Sequence, residues 1–115
     1  MTYEFKNPCI KIFEHPSIAD GASFSKEWDT DDSYVLKYIF IKADGARTTK
    51  STITLWIAGT PLTKDKCLCN TFGSNPEDAL LLNMRIPKGA RINYEGVNKE
   101  GATKDFTVEL VFEKA

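Results

Sequence analysis

The residues of this chain best equipped for chemistry are one histidine, three cysteines and an acidic turn. His15 stands between Glu14 and Pro16. A nucleophilic triad would have to use it as general base, with Cys9 or Ser17 as the neighbouring nucleophile. At a strand end beside proline nothing holds the imidazole in one tautomer, so no such site is predicted. Cys67 and Cys69 form a C-x-C pair, which puts both thiols on one face of a strand. Only Cys9 and His15 could complete the four ligands of a structural zinc, and an odd cysteine count argues against a disulfide framework. The expected state is three reduced, partly buried thiols acting as small hydrophobes. Asp29, Asp31 and Ser33 copy the first three ligand positions of a calcium loop. The imitation ends there, because the position that needs glycine holds Tyr34 and the one that needs a bidentate glutamate holds Phe40.

Other chemistries find less. The 16 acids could supply a carboxylate pair for glycoside hydrolysis, but that reaction needs a pocket holding a sugar ring between them. The seven glycines are isolated at turns, so no phosphate-cradling loop exists. Lys42, Arg47 and Lys50 surround one loop without any nucleic-acid motif. The prediction is a protein that is not an enzyme, with no catalytic, cofactor-binding or metal site.

The elements that would position a site are strands. At 115 residues, 42% hydrophobic and 27% charged, the chain has the size and composition of one globular domain. A net charge of -1 gives no electrostatic case for nucleic acid. No apolar run approaches the ~20 residues of a membrane helix. The start, MTYEFKNPCIKIF, lacks the regions of a signal peptide, so cytosolic synthesis is the expectation. Residues 1–8 read as an N-terminal arm with Tyr3 and Phe5 as apolar anchors, and residues 9–115 as the domain. Short runs alternate along it: 9–13, 22–28, 66–72, 79–86, 90–96 and 104–113, separated by Asp-Gly, Gly-Thr-Pro, Asn-Pro and Pro-Lys-Gly breaks. With two longer runs at 34–43 and 51–58, that makes about eight strands, predicting an all-β, antiparallel sandwich of jelly-roll type. An immunoglobulin-like sandwich is the alternative.

The two longer runs, YVLKYIFIKA and STITLWIA, flank the polar segment Asp44–Lys50 and read as one antiparallel hairpin. Setting Ala43 opposite Ser51 pairs Ile41 with Ile53 and Ile39 with Leu55 on a core face. The other face then collects Tyr34, Leu36, Tyr38, Phe40 and Trp56. A two-layer sandwich covers only one face of each sheet, so this apolar surplus needs a shield. Three are available: the chain's own arm (or a different register), another protein subunit, or a carbohydrate stacked on the aromatic rings.

The run YVLKYIFIKADG, the following TITLWIAGTPL and the strand-turn-strand RIPKGARINYEG resemble those of small jelly-roll virion proteins, the phage capsid, decoration and spike subunits. The resemblance spans most of residues 20–113 and rests on strand rhythm. It implies a structural protein that forms a homo-oligomer through a sheet face and terminal arm, ending in a virion. Carbohydrate-binding modules share the rhythm, so a glycan-binding module using Trp56 and Tyr38 is the alternative function, with a glycan as its partner.

Overall fold

The computed structural model describes residues 8–62, 67–73 and 79–115. Ten strands follow in order: β1 (Pro8–Ile18), β2 (Ser23–Asp29), β3 (Tyr34–Ala43), β4 (Ala46–Arg47), β5 (Thr52–Ile57), β6 (Thr60–Pro61), β7 (Cys67–Leu68), β8 (Met84–Ile86), β9 (Arg91–Val97) and β10 (Lys104–Lys114). They form two antiparallel sheets packed against each other. One runs β1-β10-β3-β4 with β8 also on β3; the other runs β2-β9-β5-β6 with β7 also on β5. Apart from the two-residue strands β4 and β6, first pairs with last: β1 with β10, β2 with β9, β3 with β8, β5 with β7. The chain is one long hairpin rolled up, so that β10 also meets β3 and β9 also meets β5. That winding is a jelly roll. In an immunoglobulin-like sandwich the first strand would instead pair with the second.

The predicted hairpin between residues 34–43 and 51–58 does not form. β3 and β5 lie in different sheets. The reason is local: Asp44 (φ 51°) and Gly45 (φ 74°) both adopt the left-handed conformation of a two-residue hairpin turn. The chain therefore reverses at once, pairing Ala43 with Ala46 and Lys42 with Arg47, and then crosses to the other sheet. Ile39 and Ile41 still meet Ile53 and Leu55, but through the core between the sheets and not along a ladder. The crossing at Thr49–Ser51 is held by Glu100, whose carboxylate accepts from the backbone N–H groups of Thr49, Lys50 and Ser51 and from the Ser51 hydroxyl at 2.6 Å.

Strand parity inside β3 is also broken. Tyr38 faces Val111 of β10, yet Leu36 faces Phe112, so Lys37 is an extra residue, a bulge. Strict alternation would put Tyr34 and Leu36 on the same face as Tyr38 and Phe40. The bulge turns them inward, into the core with Ile39, Ile41, Phe106, Leu110 and Phe112. Other ends shift too. β1 continues past His15-Pro16, where a bulge and the left-handed Ser17 (φ 56°) carry the proline, because an edge strand tolerates the missing donor. The predicted strand at 66–72 shrinks to Cys67–Leu68 followed by a 3-10 turn at Cys69–Thr71. That at 79–86 shrinks to Met84–Ile86, since Asn83 (φ 52°) leaves the extended region. The predicted arm, apart from Pro8, lies outside the described residues.

The flank where edge strands β1 and β2 face each other is closed by side chains. Lys11 lies 5.1 Å from the Trp28 ring and Lys26 5.8 Å from the Phe13 ring, cation–π contacts that spare each ammonium a dry burial. His15 Nε2 and Tyr94 Oη are 2.6 Å apart across the two sheets.

Candidate functional site

The five residues predicted to share one face are divided among three environments. Tyr34 and Leu36 are in the main core. Tyr38 and Phe40 lie on the outer face of the first sheet, their rings stacked with centroids 5.9 Å apart. With Val111 they make a small second core, against which Ala79 packs. Trp56 is on the outer face of the other sheet, half-buried and facing the opposite way. Of the three shields considered for Tyr38 and Phe40, the chain itself supplies one, through a segment not foreseen for it. Leu80 N–H donates to the Phe72 carbonyl and Leu82 N–H to the Lys37 carbonyl, which docks residues 80–82 along β3.

The residues with chemical potential are mostly engaged in holding the fold. His15 is half-buried, its ring tilted against Phe24 with centroids 5.0 Å apart, and hydrogen-bonded to Tyr94. Burial, with the charge of Lys26 nearby, lowers its pKa and keeps it neutral near pH 7. The acids of the 29–33 turn diverge. Asp29 pairs with Arg91 at 2.9 Å, Asp31 accepts from the Tyr34 hydroxyl at 2.6 Å, and Asp32 accepts from Ser33 N–H and pairs with Lys114. The three cysteines are free thiols; burial pushes Cys69 up to about 12. Among the described residues no group of three or more His, Cys, Asp and Glu side chains gathers as a metal site.

The surface that stands out is the outer face of β1. Ile10 and Ile12 are each 55% exposed. They alternate on that face, since the intervening Lys11 turns inward to Trp28. Their register continues the apolar surface of the sheet: Ile10 faces Val111, which in turn faces Tyr38. Ile12 faces Glu109, which faces Phe40. Ion pairs run through and beside this strip: Lys42 with Glu109, which stands between Ile12 and Phe40, at 3.7 Å, and Lys37 with Glu113 at 3.5 Å. Leu80 and Leu81, from the segment docked along β3, are exposed as well. Exposed apolar side chains interspersed with polar ones have the composition of a protein interface. β1 is also the edge of its sheet, and among the described residues nothing pairs with its outer side.

The isoleucine pair was visible in the sequence as Ile10 and Ile12 on one side of a short run. What the sequence did not give was the partner strand. Once β1 is laid on β10, Ile12 falls opposite Glu109, on the wet side that the alternation at 104–113 already marked.

A jelly-roll sandwich with one apolar, unpaired edge strand is the class that fold and surface define. Comparison with family models, with curated proteins and with solved structures gives no match to this chain.

Proposed function

We propose that this chain is a non-enzymatic structural subunit that assembles with copies of itself through the edge and outer face of β1. The observation that carries the reading is the exposed Ile10–Ile12 pair on a free edge strand. Sheet proteins ordinarily blunt such an edge with outward charges or proline; β1 carries Pro8 and Pro16, but the outward positions between Pro8 and Glu14 hold only the two isoleucines. Burying the exposed half of each isoleucine stabilises a contact by about 1 kcal/mol per side chain, counted once for each copy. The jelly-roll winding, together with the resemblance to capsid, decoration and spike proteins, supports a virion as the assembly. The N-terminal arm is continuous in sequence with β1.

The test is size-exclusion chromatography with light scattering on the full chain across a concentration series. The wild type is expected to run as a defined oligomer. The double variant Ile10→Lys/Ile12→Lys is expected to run as a folded monomer, with its melting temperature read in parallel. A wild type that stays monomeric at high concentration, or a double variant that assembles undiminished, overturns the reading.

A further inference from the structure

A second candidate site, for a ligand, lies around Trp56, on the outer face of the other sheet, with its β2 rim next to β1. The outer face of the second sheet is polar around this ring. Its register sets Glu27, Asn93, Trp56 and Pro61 in one row across four strands, and Ser25, Glu95 and Thr54 in the next. A cleft of about 500 Å³ opens over these rows, lined by Ser25, Lys26, Glu27, Trp56, Asn93 and Glu95 among others. A pocket of that size falls in the range used by small ligands.

Two features separate this cleft from an ordinary wet face. The first is the tryptophan, a large flat ring placed where solvent-facing neighbours are serine, threonine, asparagine and glutamate. Its indole N–H has no hydrogen-bond partner among the described residues and is not buried, so it is open to a ligand. The second is that the polar groups around it are open to solvent and uncommitted within the fold. The Asn93 amide, the Glu95 carboxylate and the Ser25 hydroxyl also lack partners among the described residues. The other described asparagines are all engaged: Asn70 with Thr48, Asn83 with Lys37, and Asn98 with Ile18 and Ala102.

These groups select the ligand by class. Glu27 is shared with Arg91 at 3.5 Å and Lys26 lines the cleft with Glu95, so the charges nearly balance and there is no cluster of cations to hold a phosphate, sulfate or uronate group. An apolar partner would strip water from Asn93 and Glu95 without replacing their hydrogen bonds, an unfavourable exchange. A neutral sugar ring meets both demands. Its C–H face lies flat on the indole, and its hydroxyls donate to Glu95 and Asn93 while accepting from the Asn93 amide and the indole N–H. We propose that the Trp56 face binds a neutral saccharide, Trp56 serving as stacking platform and Asn93 and Glu95 as the hydroxyl readers.

The inference does not rest on self-assembly and is tested apart from it. The full chain is titrated calorimetrically with neutral hexasaccharides of β-1,4-glucose, β-1,4-N-acetylglucosamine and α-1,4-glucose, and with a sulfated oligosaccharide. At least one neutral probe is expected to bind. Trp56→Ala is expected to weaken that binding at least tenfold and Glu95→Gln several-fold. Trp56→Phe, which keeps a ring, should lose less, and Leu81→Lys, at an exposed position beside the first sheet, should lose nothing. Melting curves confirm that each variant is folded. Silence across the neutral probes, preference for the sulfated one, or binding indifferent to Trp56→Ala overturns the proposal.

Discussion

Five donors converge on the Glu100 carboxylate: the N–H groups of Thr49, Lys50 and Ser51 and the hydroxyls of Thr49 and Ser51. Burial alone would push this carboxyl up; the bonds from Ser51, Thr49 and Lys50 outweigh it and hold it at about 2, against an ordinary 4.5. The sign follows directly. A carboxyl whose folded pKa lies below its unfolded one contributes stability that is whole above about pH 4.5 and is lost as pH falls toward about 2. Glu100→Gln keeps the shape but removes the charge from these bonds, and turns an acceptor oxygen into a donor facing other donors. The site is partly open to water, so screening trims the effect to about 1–2 kcal/mol at neutral pH. Urea melts at pH 7 and pH 3 are expected to show the wild type losing more stability on acidification than Glu100→Gln does. Parallel losses in the two proteins would refute the assignment. Nothing in the sequence singled out this glutamate, because its partners lie about fifty residues away on another crossing.

β3 is the element on which sequence and structure part most sharply. Its composition marks it as a strand buried on both faces, and that is what it is. Which side chain faces which way depends on Lys37, the one residue that β10 does not match. A bulge leaves no signature in hydrophobic alternation when the strand is apolar on both sides, so Tyr34 and Leu36 cannot be told from Tyr38 and Phe40 by parity. β10 is the opposite case: Phe106, Val108, Leu110 and Phe112 alternate with polar residues, and all four are in the core. The same logic explains the hairpin that does not form. Asp44-Gly45 is a two-residue turn signal, and reading the whole of Asp44–Lys50 as one loop hid the exit to the other sheet. The bulge makes a sharp prediction. Deleting Lys37 removes the unmatched residue and sets Leu36 directly before Tyr38, so Leu36 and Tyr34 keep facing inward. The deletion loses the contacts of Lys37 with Glu113 and Asn83 and the hydrogen bond from Leu82 N–H to its carbonyl. Lys37→Ala keeps the extra residue and loses only the exposed contacts with Glu113 and Asn83, about 1 kcal/mol or less. Chemical denaturation is expected to place the deletion within about 1–2 kcal/mol of the substitution. A deletion several kcal/mol below it, the scale of turning a buried leucine out of the core, would show that Lys37 is not the extra residue.

At the scale of the whole molecule the jelly roll separates two surfaces that the sequence had merged into one. Tyr38 and Phe40 look out from the first sheet beside the exposed edge of β1; Trp56 looks out from the second, two strands in from the β2 rim that borders β1. A subunit that assembles through the outer face of β1 leaves the Trp56 ring itself open, and an oligomer presents several copies of it. The two proposals together fix how affinity divides. A single soluble saccharide occupies one cleft at a time, so its dissociation constant is expected to be the same for the wild-type oligomer and for the Ile10→Lys/Ile12→Lys monomer. A surface carrying many copies of that saccharide engages several clefts at once, and linked binding of this kind raises apparent affinity by about 10²–10⁴ where the geometry allows it. The monomer forfeits that gain. Surface plasmon resonance on a saccharide-coated chip, set beside calorimetry with the soluble probe, reads both quantities. The expected pattern is equal calorimetric constants with chip binding at least tenfold weaker for the monomer, most of the loss appearing as faster dissociation. Equal retention on the chip would mean that the Trp56 faces of one oligomer cannot reach a common surface, and a change in the soluble constant would mean that β1 and the cleft are not separate sites.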